Sequence, residues 1–294
     1  MIIVDCRGGL GNQMFQYALY FYLRQSGKDA RLGIYHYDWI KGRGGKIKSV
    51  PEHGKKFVLN RAFRIDDIVF ASEEDIRRLG FVEMSIPQRF LRRMGFHKKS
   101  HIHGAELGDR FAEKLLRMDE IYIQGYWQSF SYLDKVKMQL QEKLLFNIQP
   151  EGRQRKIVED IRDSNSVSVH IRRNDYVGSP VYCEQPLEYY LRAMEYMDQH
   201  IPDARYFLFS DDMEWCRNHF RKSNVNFVEG GSGDDAYIDM YLMSECKHHI
   251  VTNSSFGIWA AWLDNRVGHI TIRPQKYYYH YEYDWPKDWV EVEP

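Results

Sequence analysis

The run VHIRRNDYVG (169–178) gathers the densest chemistry in the chain, with His170, Arg172, Arg173 and Asp175 at the carboxyl end of an apolar, β-branched stretch. A guanidinium offers forked, permanently charged donors, so a desolvated arginine at such a strand end suits phosphate oxygens, a pyrophosphate above all. Alternation along a strand puts His170 and Arg172 on one face and Arg173 on the other, which divides the work between the two arginines. We read Arg172 as facing a ligand with His170 beside it, and Arg173 as paired with Asp175 in a contact that braces the loop.

Three further segments carry polar groups at the ends of apolar runs. LFSDDMEW (208–215) closes on Ser210, Asp211 and Asp212. A carboxylate there can accept from the exocyclic amine and ring N–H of a guanine, or cap the following helix, and both roles stay open for both aspartates. HIVTNSSFGIWAAWL (249–263) reads as a strand, a small polar loop and an apolar helix starting near Phe256. The first N–H groups of that helix, with Ser254 and Ser255, form an anion site, and capping by either serine is compatible with it. Near the start, GGLGNQ (8–13) lets the backbone approach a ligand and then offers Asn12 and Gln13. A dinucleotide fingerprint would need a third glycine where Met14 stands, and no GxxxxGK phosphate loop occurs, so a nicotinamide-dependent oxidoreductase is excluded.

These groups need strands to aim them. Ile2 to Cys6 reads as a first strand, followed by a helix with Met14, Ala18, Phe21 and Tyr22 on one face. IYIQGYWQS (121–129) is a strand running into a loop, and Leu133, Val136, Leu140 and Leu144 then recur at helical spacing. After NIQPEGRQ (147–154), read as a linker, strands at 166–171, 205–210, 225–230, 248–253 and 269–274 alternate with helical patterns. Such alternation implies parallel sheets covered on both faces, with ligand crevices at the carboxyl ends of the strands. The expected fold is α/β, two Rossmann-like domains facing a cleft, divided into 1–150 and 151–294. Tyr126 and Trp127 suit either stacking on a sugar or core packing, and the aromatic tail 277–285 is expected to lie across the outside of a sheet.

Composition narrows the class of partner. The 294 residues carry 41 Lys plus Arg against 41 Asp plus Glu, a balance that argues against non-specific nucleic-acid binding. Four cysteines, far apart and without a CxxC pair, read as free thiols. MIIVDCRGG meets charge too early for a secretory signal, and no run of about 18 apolar residues occurs, so a soluble, cytoplasmic chain is expected. The Lys- and Gly-rich stretch 41–56 reads as a solvated loop, or as a peripheral contact with anionic lipid at the inner membrane surface. His97, His101 and His103, and the pair His248 and His249, read as surface residues, and no metal site is expected.

Taken together, GGLGNQMFQYA (8–18), QGYWQS (124–129), HIRRNDY (170–176), FSDD (209–212) and TNSSFGIWAAWL (252–263) resemble the α-1,2-fucosyltransferases, and more weakly the α-1,6- and protein O-fucosyltransferases. The likeness runs from Asp5 to about Leu263 and is thin over 41–105. The resemblance implies a glycosyltransferase of the B type that moves L-fucose from GDP-fucose to the 2-hydroxyl of a galactose-terminated glycan. It implies inversion at the anomeric carbon, no divalent metal and no cofactor beyond the donor substrate. The first domain would hold the acceptor and the second the donor. Carried over by position, Arg172 would hold the β-phosphate, His170 and one of Asp211 or Asp212 the guanosine, and Ser254, Ser255 and Phe256 the diphosphate and base, while Asn12 would reach toward the sugar and phosphate. Asp175 and Glu184 are both candidates for the general base. This chain has Gly257 and Ile258 where many of that family have Ser and Trp, and Asn174 where Gly is more usual, so the wall beside the sugar differs.

Overall fold

A computed structural model describes residues 1–34, 56–80, 100–103, 109–231, 233–279 and 282–294. The chain divides into two compact units, Met1–Leu145 and Phe146–Pro294. Of the stretch 41–56, read as a solvated loop or lipid contact, all but Lys56 lies outside the described residues, as does His97. Among the described residues no helix is long and apolar enough to cross a membrane.

In the first unit, β1 (Ile2–Asp5) leads through a glycine loop into α1 (Leu10–Gln25), then β2 (Ala30–Gly33), α2 (Glu73–Leu79), β3 (His101–His103), α3 (Asp109–Leu116) and β4 (Ile121–Gln124). The sheet runs β2-β1-β4-β3 with every pairing parallel, Ile2 standing beside Ala30 and Ile121. All four residues of β1 are buried, as expected of a parallel strand covered on both faces. Helix α1 shows no single apolar stripe: it is buried from Leu10 to Leu23 except at Asn12, the pattern of a helix enclosed on every side. Leu133, Val136, Leu140 and Leu144 are all buried, but they belong to two short helical pieces joined by a 3-10 turn rather than to one helix.

The second unit begins at Phe146, whose ring meets Tyr241 edge-on at 5.4 Å. Only part of 147–154 is a linker, because α4 (Gly152–Arg162) already starts inside it. There follow β5 (Asn165–Ile171), α5 (Leu187–His200), β6 (Ala204–Ser210), α6 (Met213–His219), β7 (Val225–Phe227), α7 (Tyr237–Glu245), β8 (His248–Ile250), α8 (Ser255–Trp262), β9 (Thr271–Pro274) and β10 (Val290–Val292). All pairings are again parallel, in the order β10-β9-β8-β5-β6-β7. Renumbered within the unit this is 6-5-4-1-2-3, the doubly wound nucleotide-binding order, and its core is built from Val167, Val169, Ile171, Tyr189, Met194, Leu208 and Ile250.

Candidate functional site

Winding direction reverses between β5 and β8, which are hydrogen-bonded neighbours although not consecutive. In doubly wound sheets the ligand crevice opens outside the carboxyl ends of the strands at such a reversal. Here β5 delivers His170 and Arg172 to that edge, β8 delivers Thr252, Asn253 and Ser254 with the start of α8, and the neighbouring β6 delivers Ser210, Asp211 and Asp212.

Both arginines are paired, and the pairing differs from the expectation. Arg172 donates from Nε to Asp175 at 2.8 Å and lies 2.9 Å from Asp211 through Nη1, with its guanidinium over the Tyr176 ring. Arg173 takes Asp212 at 3.2 Å and Glu184 at 3.0 Å and stacks on Trp215. Asp175 therefore braces Arg172, not Arg173, because Arg173 turns away toward α6 and its indole. Asp212 caps α6, accepting from the Trp215 N–H at 3.1 Å. Asp211 accepts from the Arg173 backbone N–H at 2.9 Å. The two candidate bases, Asp175 and Glu184, are each held by an arginine.

His170 is 7% exposed, its ring 5.7 Å from that of Phe256 and pressed against Gly257. Its Nδ1 is buried without a hydrogen-bond partner. Loss of hydration, reinforced by the Arg172 charge, lowers its pKa from 6.5 to about 3, so the imidazole stands neutral beside the guanidinium. The unfolded chain protonates this histidine below about 6.5 whereas the folded one does not, so stability present above that pH drains away on acidification. We expect the His170 contribution alone to be about 1.4 kcal/mol per pH unit below pH 6.5. Urea midpoints between pH 7.5 and 5 should show it, and His170→Gln should flatten the slope by one proton. An unchanged slope in that variant would remove His170 from the account.

Ser254 stands at the N-cap of α8 with extended backbone, yet its hydroxyl makes no capping bond, and the first turn holds no acidic residue. The helix begins at Ser255, one residue before the expected Phe256. Asn253 is fully buried and donates to the carbonyls of Cys183 (2.8 Å) and Tyr277 (2.7 Å), while Tyr176 donates its hydroxyl to the Asn253 carbonyl at 3.0 Å. Tyr176 also stacks on Tyr182, and Tyr277 on Tyr283. Of the aromatic tail, Tyr277 stands by the loop after β8, where its carbonyl satisfies the buried Asn253 amide, and Trp285 lies against Arg273 of β9. Tyr176 stood inside the HIRRNDY segment without a role, and only the fold reveals that it supports Arg172.

In the first unit, Asn12 accepts from Gln128 at 2.7 Å and remains partly exposed. Gln13 is instead buried, donating to the carbonyls of Gly8 and Lys56 and accepting from the Val58 N–H, so it fastens the chain rather than offering itself to a ligand. Gly8 has φ +79°, a conformation that favours glycine. Trp127 is core, stacked on Phe111 at 4.8 Å, while Tyr126 is 42% exposed.

His249 is not a surface residue. It is fully buried between Ser168 (2.8 Å) and Asp264 (3.0 Å), and Asp264 is held in turn by Arg266. His248 accepts from the Ile270 N–H at 3.0 Å. His101 contacts Gln124 within its own sheet. Among the described residues no three His, Cys, Asp or Glu side chains converge as a metal site.

Residues 1–293 match the family model described as Glycosyl transferase family 11. The chain belongs to that family. It is 30% identical to an alpha-1,2-colitosyltransferase of Escherichia coli, over 100% of this chain and 99% of that one. It is 28% identical to the O-antigen biosynthesis glycosyltransferase WbnK of Escherichia coli, over 92% and 93%, and 25% identical to galactoside alpha-(1,2)-fucosyltransferase 1 of Leontocebus fuscicollis, over 87% and 63%. In fold it resembles the crystal structure of NodZ alpha-1,6-fucosyltransferase soaked with GDP-fucose, with a TM-score of 0.50 at 16% identity over 89% of this chain and 91% of that one. This family 11 glycosyltransferase accordingly has the expected α/β fold of the glycosyltransferase B type.

Proposed function

We propose that this glycosyltransferase moves L-fucose from GDP-fucose to the 2-hydroxyl of a terminal β-galactoside, with inversion and without a divalent metal, as a cytoplasmic protein of surface-glycan assembly. The observation that carries this reading is the Arg172 guanidinium at the β5–β8 reversal, within the same strand-end edge as the start of α8. The departing GDP gathers negative charge, and an oriented guanidinium with helix N–H groups is a preorganised environment for it. His170, Ser254, Ser255 and Phe256 would line the base and diphosphate, and Asn12 would serve the sugar. With Asp175 and Glu184 both engaged by arginines, a loose displacement with little help from a base fits the geometry.

A second donor has its own support, because one relative at 30% identity is a colitosyltransferase. The test is GDP release from GDP-fucose and from GDP-colitose, each with a panel of galactosides, with and without EDTA. Galactoside-stimulated release from GDP-fucose that survives chelation, with an α-1,2 product by NMR, is expected. Release from GDP-colitose alone would shift the donor assignment, and loss of turnover in EDTA would remove the metal-free mechanism.

A further inference from the structure

We propose that Asp211 is a positioning residue that sets the Arg172 guanidinium, and that it does not read the guanine base. This inference rests on the GDP-sugar reading above and replaces one role within it. Three atoms of Asp211 fasten the end of β6 to the segment after β5. Its Oδ1 accepts from the Arg173 N–H at 2.9 Å, its carbonyl accepts from Asn174 Nδ2 at 3.0 Å, and its Oδ2 lies 2.9 Å from Arg172 Nη1. The last is a charge contact without an aligned N–H, so it holds the guanidinium in place while leaving that N–H fork for another acceptor. Asp175 completes the clamp on the opposite edge, at Nε. The Asp211 side chain is 17% exposed; its Oδ1 is taken by the Arg173 N–H and its Oδ2 is buried against Arg172, so the two oxygens do not present together to a pair of purine donors. Asp212 is occupied as well, by the α6 cap and by Arg173.

The placement has a consequence that a base ligand would not. A carboxylate that orients Arg172 helps most when the guanidinium must meet developing charge, and its own charge opposes the diphosphate already in the ground state. Asp211→Asn keeps the shape and the carbonyl acceptor but removes the charge. We expect kcat to fall about tenfold, in the range of the coupling between two charged side chains in contact. We expect the Kd for GDP to change by less than about threefold and the preference for GDP over ADP to be kept. In an Arg172→Ala background the same substitution should cost nothing further, since coupled residues fail additivity. Asp211→Glu, which returns the charge on a longer arm, should recover part of kcat and serves for the nucleotide titration if Asp211→Asn does not fold. Weakening of GDP by tenfold or more with loss of the GDP over ADP preference, in whichever of the two variants folds, would overturn the inference, as would full additivity with Arg172→Ala. Wild-type protein that binds GDP no better than ADP would fail the donor reading itself, a separate result.

Discussion

Arg172→Ala is expected to lower kcat by about 10² to 10³, equivalent to about 3 to 4 kcal/mol of transition-state stabilisation, the size of one preorganised donor removed from a developing anion. Two features of the site put the loss at that level. The guanidinium is oriented before any ligand arrives, by Asp175 at Nε and Asp211 at Nη1, with Tyr176 beneath it. Its removal also leaves those two carboxylates without a counter-charge beside the proposed diphosphate position, so GDP affinity should fall together with kcat. Arg172→Lys retains the charge but not the fork, and should fall between the wild type and the alanine variant. Arg172→Lys keeps a counter-charge beside Asp175 and Asp211, so its melting temperature should stay near that of the wild type. Steady-state GDP release together with GDP titration separates the two effects. An alanine variant within threefold of the wild type in both would mean that the diphosphate lies elsewhere.

The family motifs made the strand-end placement of His170, Arg172, Asp211 and Ser254 legible, because each motif is an apolar run that ends in polar residues, and such runs become buried parallel strands with their polar ends at one edge. What the residues alone did not settle was which carboxylate meets which arginine. Arg173 and Asp175 are close in sequence, but the partner of Asp175 is Arg172, because Trp215 and Asp212 draw Arg173 aside after the chain has passed through β6. Short strands were missed for a related reason. Ala30–Gly33, His101–His103 and Val290–Val292 have three or four residues each, too few to show a period, and parallel neighbours define them. The burial of His249 is likewise not legible locally, because its partners Ser168 and Asp264 lie 81 and 15 residues away.

Gly257→Ala is expected to be strongly destabilising, because the added methyl group meets His170. A β-carbon there would stand 2.5 Å from Nδ1, 2.7 Å from Cγ and 2.9 Å from Cβ of His170, separations that real structures do not tolerate. Neither side can give way cheaply: His170 is buried and fixed in β5, Gly257 lies in the first turn of α8, and the Phe256 ring stands 5.7 Å from the imidazole. Overpacking of this kind costs about 1 to 3 kcal/mol, read as a lower urea midpoint with an unchanged slope. Because the displaced groups are those proposed to hold the nucleotide, GDP affinity should fall in the same variant, whereas a comparable methyl at Gly178, where a β-carbon meets nothing within 4 Å, should cost only the backbone strain of its φ of +70°. The interaction is pairwise, so it can be isolated. Adding His170→Ala removes the atoms at 2.5 and 2.7 Å, and the double variant should be more stable than the sum of the two single changes allows. Additive costs, or a Gly257→Ala protein with wild-type stability and GDP affinity, would show that α8 and β5 are not packed as closely at this edge as the distances state.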